Sequence, residues 1–408
     1  MSKKIVVTGL GMVSSLGSNV AENWENLKNG KSGVSEISII DTSKLETKIA
    51  AMADNGFEEY VAGKVSKRQR KQMTRSMRMS IAASNEAIDD SKIDFQSYDC
   101  SKVGVIMGVI DTSLKEEEKE ISESHMIVRS MPSAAASWIS IQHGLKGPGF
   151  NVSTACASAA YAIAVSSQLI QSGMCDMVIT GGLGSTINHD QISGFNQIMA
   201  MSVNNENASS ACRPFTKDRD GFLLGEGAGT IILESEESAL KRGAEIYCEL
   251  AGYALTEEAC DITAPQADGV GMAECMLKAI ENSDCSVYDI DYINAHGTST
   301  YLNDKYETMA IKSVFGQRAA NIPVSSTKSM LGHTLAASGA IEGITTILTI
   351  YEGVITPTIN YNTPDPELDL DYVPNVSRKA DINTAISNSF GFGGHNASLV
   401  FKKYKKQN

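Results

Sequence analysis

The sequence predicts an α/β protein with a largely buried sheet, organised as two similar halves. Strand-like apolar runs bounded by glycine, at Ile5 to Thr8, Val103 to Met107, Met177 to Thr180, Gly229 to Glu234, Tyr292 to Ala295 and Ala397 to Phe401, alternate with helix-like segments. Such alternation is what helices packed over a sheet require. Glycine-rich turns adjoin three of the runs, at Thr8 to Gly11, Thr180 to Gly184 and Phe390 to Gly394, and so occur in both halves of the chain. Their recurrence implies an internal duplication. The 408 residues contain no Pro/Ser-rich linker, so the expected organisation is an N-terminal half, 1–245, packed closely on a C-terminal half, 246–408.

Composition excludes several classes. With 42% hydrophobic and 20% charged residues the chain is neither disordered, collagenous nor a disulfide scaffold. Thirty-five Lys and Arg against 48 Asp and Glu give a net charge of −13, which argues against a broad nucleic-acid-binding surface. No run approaches the roughly 18 apolar residues of a membrane span, and the N-terminus enters a strand-like run with no signal-peptide core. A cytoplasmic protein with no membrane partner is expected. The eight cysteines form no CxxC pair and should be reduced thiols.

Along the chain, Val7 to Ser14 looks like a dinucleotide fingerprint, but Ser14 stands where the third glycine belongs, and NAD is not expected. Lys64, Lys67, Arg68, Arg70, Lys71, Arg75 and Arg78 form a basic island with no Asp or Glu among them. Against an acidic background this suits the steering of a strongly acidic protein or phosphate group; the alternative is a solvated helix. The acidic stretch from Lys115 to Glu123 reads as a solvated helix.

Asn151 to Ala160 passes from a β-rich run into small residues and then into a helix from Tyr161 to Ile170, which places Cys156 at or just before a helix N-terminus. Unpaired N–H groups and the helix dipole there favour thiolate over thiol. Gly225 to Gly229 lacks the Gly-Lys-Ser/Thr ending of a phosphate loop and is structural. His296 and His333 each follow a strand and precede a helix, where α/β sheets present functional groups. His125, His143 and His189 have no such frame. The segment Thr358 to Asp371 is the most evident long loop. Phe390, Gly391, Phe392, Gly393 and Gly394 form a turn around an aromatic ring, able to donate a backbone N–H and to swing that ring over a pocket.

One cysteine with two histidines has two readings. A zinc site is one, although no HExxH, no CxxC and no acidic residue at ligand spacing accompanies it. Carbon chemistry on thioesters is the other: a thiolate holds an acyl group, while two neutral imidazoles donate to the enolate formed when a second thioester loses carbon dioxide. Lys328 nearby would help to hold the imidazoles neutral or to orient them.

Together these motifs resemble the elongating β-ketoacyl-acyl-carrier-protein synthases of type II fatty-acid and polyketide synthesis. The resemblance runs from Val6 to Met12 through Arg213-Pro-Phe215, Arg219 to Phe222 and Gly225 to Gly229 to His296-Gly-Thr-Ser-Thr300, Thr327 to His333 and Asn388 to Gly394. It implies a thiolase-like fold: two five-stranded halves stacked as a five-layer α-β-α-β-α sandwich, in a dimer. It also implies that Cys156 is the acyl acceptor, that His296 and His333 assist decarboxylation, and that Lys328 supports the second histidine with Glu342 as its carboxylate partner. Thr298 and Thr300 match residues that bind the pantetheine arm, and Phe392 matches a gating residue whose N–H joins that of Cys156 in the oxyanion hole. Lys64, Lys67, Arg68, Arg70, Lys71 and Arg75 lie where the family docks acyl carrier protein. No metal or organic cofactor is implied.

Departures from the fatty-acid enzymes point toward specialised metabolism. Ser158 and His395 stand where threonine is usual, and Asn303-Asp304 with Glu307-Thr308 is more similar to type II polyketide ketosynthases. Asp111 falls where fatty-acid elongators have an apolar residue at the end of the acyl pocket, and a carboxylate there opposes burial of an alkyl tail. The expected function is a polyketide or polyene ketosynthase, as a homodimer or as a heterodimer with a chain-length-factor-like subunit. Housekeeping fatty-acid elongation is the competing reading. A non-catalytic chain-length subunit is disfavoured by the presence of Cys156. A thiolase would resemble a two-cysteine site with a late second cysteine, and a ketosynthase initiating from acyl-CoA a Cys-His-Asn site.

Overall fold

The computed structural model describes residues 3–110 and 123–406. Ten strands form its main sheet: β1 (Ile5–Ser14), β2 (Val103–Gly108), β3 (Gly149–Val152), β4 (Met177–Gly184), β5 (Gly227–Ser235), β6 (Cys248–Glu257), β7 (Tyr292–Asn294), β8 (Val324–Ser325), β9 (Thr384–Gly391) and β10 (His395–Lys403). Across the first half the spatial order is β1-β5-β4-β2-β3, and across the second it is β6-β10-β9-β7-β8. The two orders are the same. So are the directions: the β1/β5 and β5/β4 pairs are antiparallel and the β4/β2 and β2/β3 pairs parallel, as in β6/β10, β10/β9, β9/β7 and β7/β8. The duplication hinted at by the glycine junctions is thus written in the topology. The halves meet edge to edge through the short pairing of Val6 with Glu249 and Val7 with Cys248, a junction with no counterpart in the sequence reading.

Three apolar clusters separate the layers. Helices α1 (Arg75–Ser91) and α2 (Ala134–His143) cover the outer face of the first half around Met77, Ile81, Val105 and Ile179. Helices α3 (Ser158–Gln171) and α6 (Ser338–Glu352) pack on each other between the halves, among Ile163, Ile344, Leu233 and Phe401. Helices α4 (Val270–Glu281) and α5 (Tyr301–Phe315) close the outer face of the second half, around Met276, Ile311 and Ile386. The layers therefore run helix, sheet, helix, sheet, helix. Burial on both faces explains why β1, β4 and β5 are buried along their whole length.

Two of the expected glycine turns are strand interiors instead. Gly9 and Gly11 lie within β1, where a Cβ would stand 2.2 Å from the Ala87 carbonyl oxygen and 1.9 Å from that of Ala83 on α1. Gly181 and Gly182 lie within β4, the second facing the Ala336 carbonyl at 2.5 Å. These glycines permit close backbone approach, not chain reversal. Only Phe390 to Gly394 includes a turn, with Gly393 and Gly394 at φ 83° and 77°. The Thr358 to Asp371 segment has no regular structure. Residues 115–122 of the acidic stretch, and Asp111, lie outside the described residues.

Candidate active site

Cys156 lies between β3 and α3, one residue before the helix cap at Ala157. Ala155 holds a left-handed backbone, φ 46°, and the turn is braced by Ser158, whose hydroxyl accepts from the Thr154 N–H (2.9 Å) and donates to the Ala155 carbonyl (2.6 Å). Gly391 lets β9 pass the nucleophile closely, since a Cβ there would be 3.1 Å from the Cys156 nitrogen. The same α3 carries Ala160, packed against Gly339 at the start of α6. That contact ties the cysteine of the first half to the segment from Lys328 to Ser338 of the second.

His333 Nε2 is 3.0 Å from Cys156 Sγ. Its other ring nitrogen, Nδ1, lies 3.0 Å from the Ser338 hydroxyl and 3.4 Å from the Leu335 N–H, which donates to it. A ring nitrogen that accepts carries no proton, so the His333 proton is on Nε2 and points at the sulfur. His296 is arranged alike. Lys328 Nζ donates to the His296 carbonyl at 2.6 Å, to Glu342, and to His296 Nδ1 at 3.3 Å, three acceptors for the three hydrogens of an ammonium. Both histidines thus present Nε2–H to the site, with ring centroids 5.4 Å apart. Burial holds both well below the usual imidazole range, reinforced by the Lys328 charge. They are neutral donors.

Lys328 corrects one expectation: its ammonium supports the first histidine, His296, and the second is held by Ser338 and Leu335. The pairing with Glu342 is as expected; burial pushes the Glu342 carboxyl up to about 7 against the pull of Lys328. A second correction concerns the nucleophile. Burial pushes the Cys156 thiol up to about 11, outweighing Lys328 and the N–H groups of Phe392 and Cys156, which draw it down. Desolvation overrides the helix dipole. The Phe392 and Cys156 N–H groups both lie beside the sulfur.

Phe390 packs 6.0 Å from His296, and Phe392 lies 6.5 Å from Phe195. The turn between them is tied to the loop after β6: the Gly393 N–H donates to the Ile262 carbonyl at 2.7 Å, and the Glu258 N–H to that of Gly394 at 3.0 Å. Thr298 and Thr300 share a hydroxyl contact of 2.8 Å. A cavity of about 430 Å³ joins Cys156, both histidines, both threonines and Phe392, and its wall reaches Ile110, the last described residue before Asp111.

The basic island divides. Lys64, Lys67, Arg68 and Lys71 are exposed and Arg70 is half-buried. Arg75 is not a docking group: its Nε donates to Glu226 at 3.2 and 3.0 Å and its Nη2 to the Ala53 carbonyl at 2.8 Å. A buried carboxylate claims that arginine because an unpaired one would be costly. Arg78 is likewise turned onto Glu58.

Sequence reading missed four contributors. Ser338 orients His333. Phe222 packs edge-on against the same ring at 5.4 Å. Glu307 accepts from the His296 and Gly297 N–H groups, each at 2.8 Å, fixing the turn that carries His296. Asp304 accepts from the Phe215 and Ser299 N–H groups. The last two had a signal, the charged pair four and seven residues beyond Thr300, but their backbone partners are invisible in sequence.

The ligand atoms of Cys156, His296 and His333 lie within 4.8 Å of one another, close enough to surround a metal ion. The Lys328 ammonium, 3.3 Å from His296 Nδ1, opposes a cation at that place. A cysteine facing two neutral imidazole donors, at the junction of duplicated α/β halves, defines instead a condensing acyltransferase of the thiolase-like fold.

The Beta-ketoacyl synthase N-terminal domain matches residues 2–239 and the C-terminal domain residues 247–362. The chain is 40% identical to 3-oxoacyl-[acyl-carrier-protein] synthase 2 of Staphylococcus aureus (strain COL), over 99% of each chain, and 41% identical to that of Synechocystis, again over 99% of each. Among solved structures it is similar to a type II polyketide ketosynthase in complex with its acyl carrier protein and bound to the hexaketide (34% identity, TM-score 0.90). It is also similar to the ishigamide ketosynthase/chain length factor (32%, 0.90); each match covers 99% of this chain and 100% of the other. The chain belongs to the β-ketoacyl synthase family. No described helix is long and apolar enough to cross a membrane.

Proposed function

We propose that this enzyme joins an acyl chain held on Cys156 to malonyl-acyl carrier protein in a decarboxylative Claisen condensation. The observation that carries the reading is the convergence of Cys156 Sγ with the Nε2–H groups of two neutral histidines. In the first half-reaction the Cys156 sulfur attacks the acyl thioester, and its proton leaves on the departing pantetheine thiol. The oxyanion forms against the Cys156 and Phe392 N–H groups. In the second, malonyl thioester loses carbon dioxide, and its enolate oxygen is held by His296 and His333. Neutral donors suit this step, because an imidazolium would protonate the enolate instead of merely stabilising it. The enolate carbon attacks the acyl-cysteine, a β-ketoacyl thioester leaves, and the cysteine thiolate regains a proton from water.

Thr298 and Thr300 hydrogen-bond the pantetheine arm, and the Phe390 to Gly394 loop gates the cavity. Lys64, Lys67, Arg68, Arg70 and Lys71 attract the acidic carrier protein. No metal or organic cofactor takes part. The division near residue 245 is supported by the repeated strand order and by the spans of the two family matches. The protein works in the cytoplasm as a dimer, with itself or with a chain-length-factor-like subunit; the ishigamide neighbour, a ketosynthase/chain length factor, supports the second arrangement.

The polyketide or polyene pathway is favoured by the Asn303-Asp304 and Glu307-Thr308 pattern and by these solved neighbours. Fatty-acid elongation is the second reading, favoured by the 40% identity to synthase 2 enzymes. Incubation with malonyl-carrier protein and a panel of saturated and polyunsaturated acyl-carrier proteins, followed by mass analysis, tests both. A product two carbons longer, made fastest from unsaturated chains, is expected. Fastest extension of saturated chains would return the enzyme to fatty-acid synthesis, and no elongated product from any chain would refute the condensation.

A further inference from the structure

Residues 222–226 form a strap along His333. The His333 N–H donates to the Leu223 carbonyl at 2.6 Å, and the Gly225 N–H donates to the His333 carbonyl at 2.9 Å. Phe222, at the head of the strap, lies edge-on to the imidazole with centroids 5.4 Å apart. The fit is close: a Cβ on Gly225 would stand 2.3 Å from the Leu331 carbonyl oxygen, and one on Gly332 2.9 Å from that of Leu223. His333 belongs to the second half of the fold and the strap to the first. Glu226 fastens it there. Its carboxylate accepts from Arg75 Nε at 3.2 and 3.0 Å, from the Ala53 N–H at 3.2 Å and from the Ser185 hydroxyl. The backbone around Ala53, the start of α1 and the end of β4 thus meet on one buried side chain that stands outside the cavity wall.

We infer that Glu226, held by Arg75, is a positioning residue: it fixes where His333 presents Nε2–H by fastening the strap that grips the histidine backbone. The inference rests on the enolate-donor role proposed for His333 and names the part of the first half that keeps that donor in place. A buried carboxylate is retained at a cost in desolvation. Here it joins three supports to a residue whose placement the reaction requires to within about 0.5 Å. His296 is held separately, by Glu307 and Lys328. Loosening the strap should therefore disturb one donor and spare the other.

The test is a pair of double-mutant cycles read by carbon dioxide release from malonyl-carrier protein. Glu226→Gln keeps the shape and weakens the fastening. At a temperature where circular dichroism shows the variant folded, its kcat should fall about 10- to 100-fold with KM unchanged. In a His333→Ala background the same change should cost nothing further, while in a His296→Ala background the full factor should remain. Should Glu226→Gln fail to fold because Arg75 is left buried without its partner, Arg75→Met with Glu226→Gln removes both charges and is read in the same two backgrounds, with the same outcome expected. An unchanged kcat, a loss that persists in His333→Ala, or one that vanishes in both backgrounds would overturn the positioning role while leaving the enolate reading standing. A His333→Ala enzyme that decarboxylates like the wild type would overturn the enolate reading itself.

Discussion

Alkylation of Cys156 reports directly on the environment that the fold builds around it. With burial raising the thiol from the ordinary 9.0 to about 11, the thiolate fraction at pH 7 falls from about one in a hundred to about one in ten thousand. Because the thiolate is the reacting species, iodoacetamide should label Cys156 roughly a hundredfold more slowly at neutral pH than it labels an ordinary accessible thiol. The rate should then climb about tenfold per pH unit from 7 to 9.5 with no plateau. Intact and peptide mass spectrometry separates this adduct from one at exposed Cys260, with Cys156→Ser as the blank. Lys328→Met removes the largest influence drawing the thiol down and should slow labelling further. A rate that levels off near pH 7 would show that the helix terminus and the N–H donors outweigh desolvation, and would refute the reasoning.

Other expectations follow from the same contacts. His296→Ala and His333→Ala each remove one enolate donor, and decarboxylation of malonyl-carrier protein should fall by about 10²- to 10³-fold while the fold persists. Lys328→Met strands the Glu342 carboxylate in the core, and the denaturant midpoint should drop by the equivalent of about 3–5 kcal/mol. Glu342 already titrates near 7 and rises further without its partner, so the variant should bind a proton on folding. Its loss of stability should therefore ease as pH falls from 8 to 6 and deepen above. Arg75→Ala should destabilise the protein through Glu226 by a comparable amount, whereas Lys67→Glu with Arg68→Glu should leave the melting temperature unchanged. That double change should raise KM for acyl-carrier protein and weaken its dependence on salt.

The parts of this protein that were legible in sequence are those whose chemistry is local. Six of the ten strands carry compact apolar runs, and Cys156, His296 and His333 sit in recognisable turns. The edge strands β3 and β8 have four and two residues, too short for a period to register. Strand β6 alternates buried with half-buried positions and lacks the glycine-bounded apolar run of its neighbours. Glycines in β1 and β4 read as turns because sequence shows the absence of a side chain but not the helix carbonyl that demands it. Arg75 was read with its basic neighbours because Glu226, 151 positions away in the chain, is brought beside it only by folding. The Cys156 shift had the same origin: the dipole is local and visible, whereas the desolvation that opposes it comes from both halves together.

The most direct test of the central claim is the intact mass of the protein, wild type and Cys156→Ala, after incubation with acyl-carrier protein. A single acyl mass added to the wild type and missing from the variant is the predicted result. An adduct that survives in Cys156→Ala, or a wild type that carries none while carrier protein remains charged, would contradict the account.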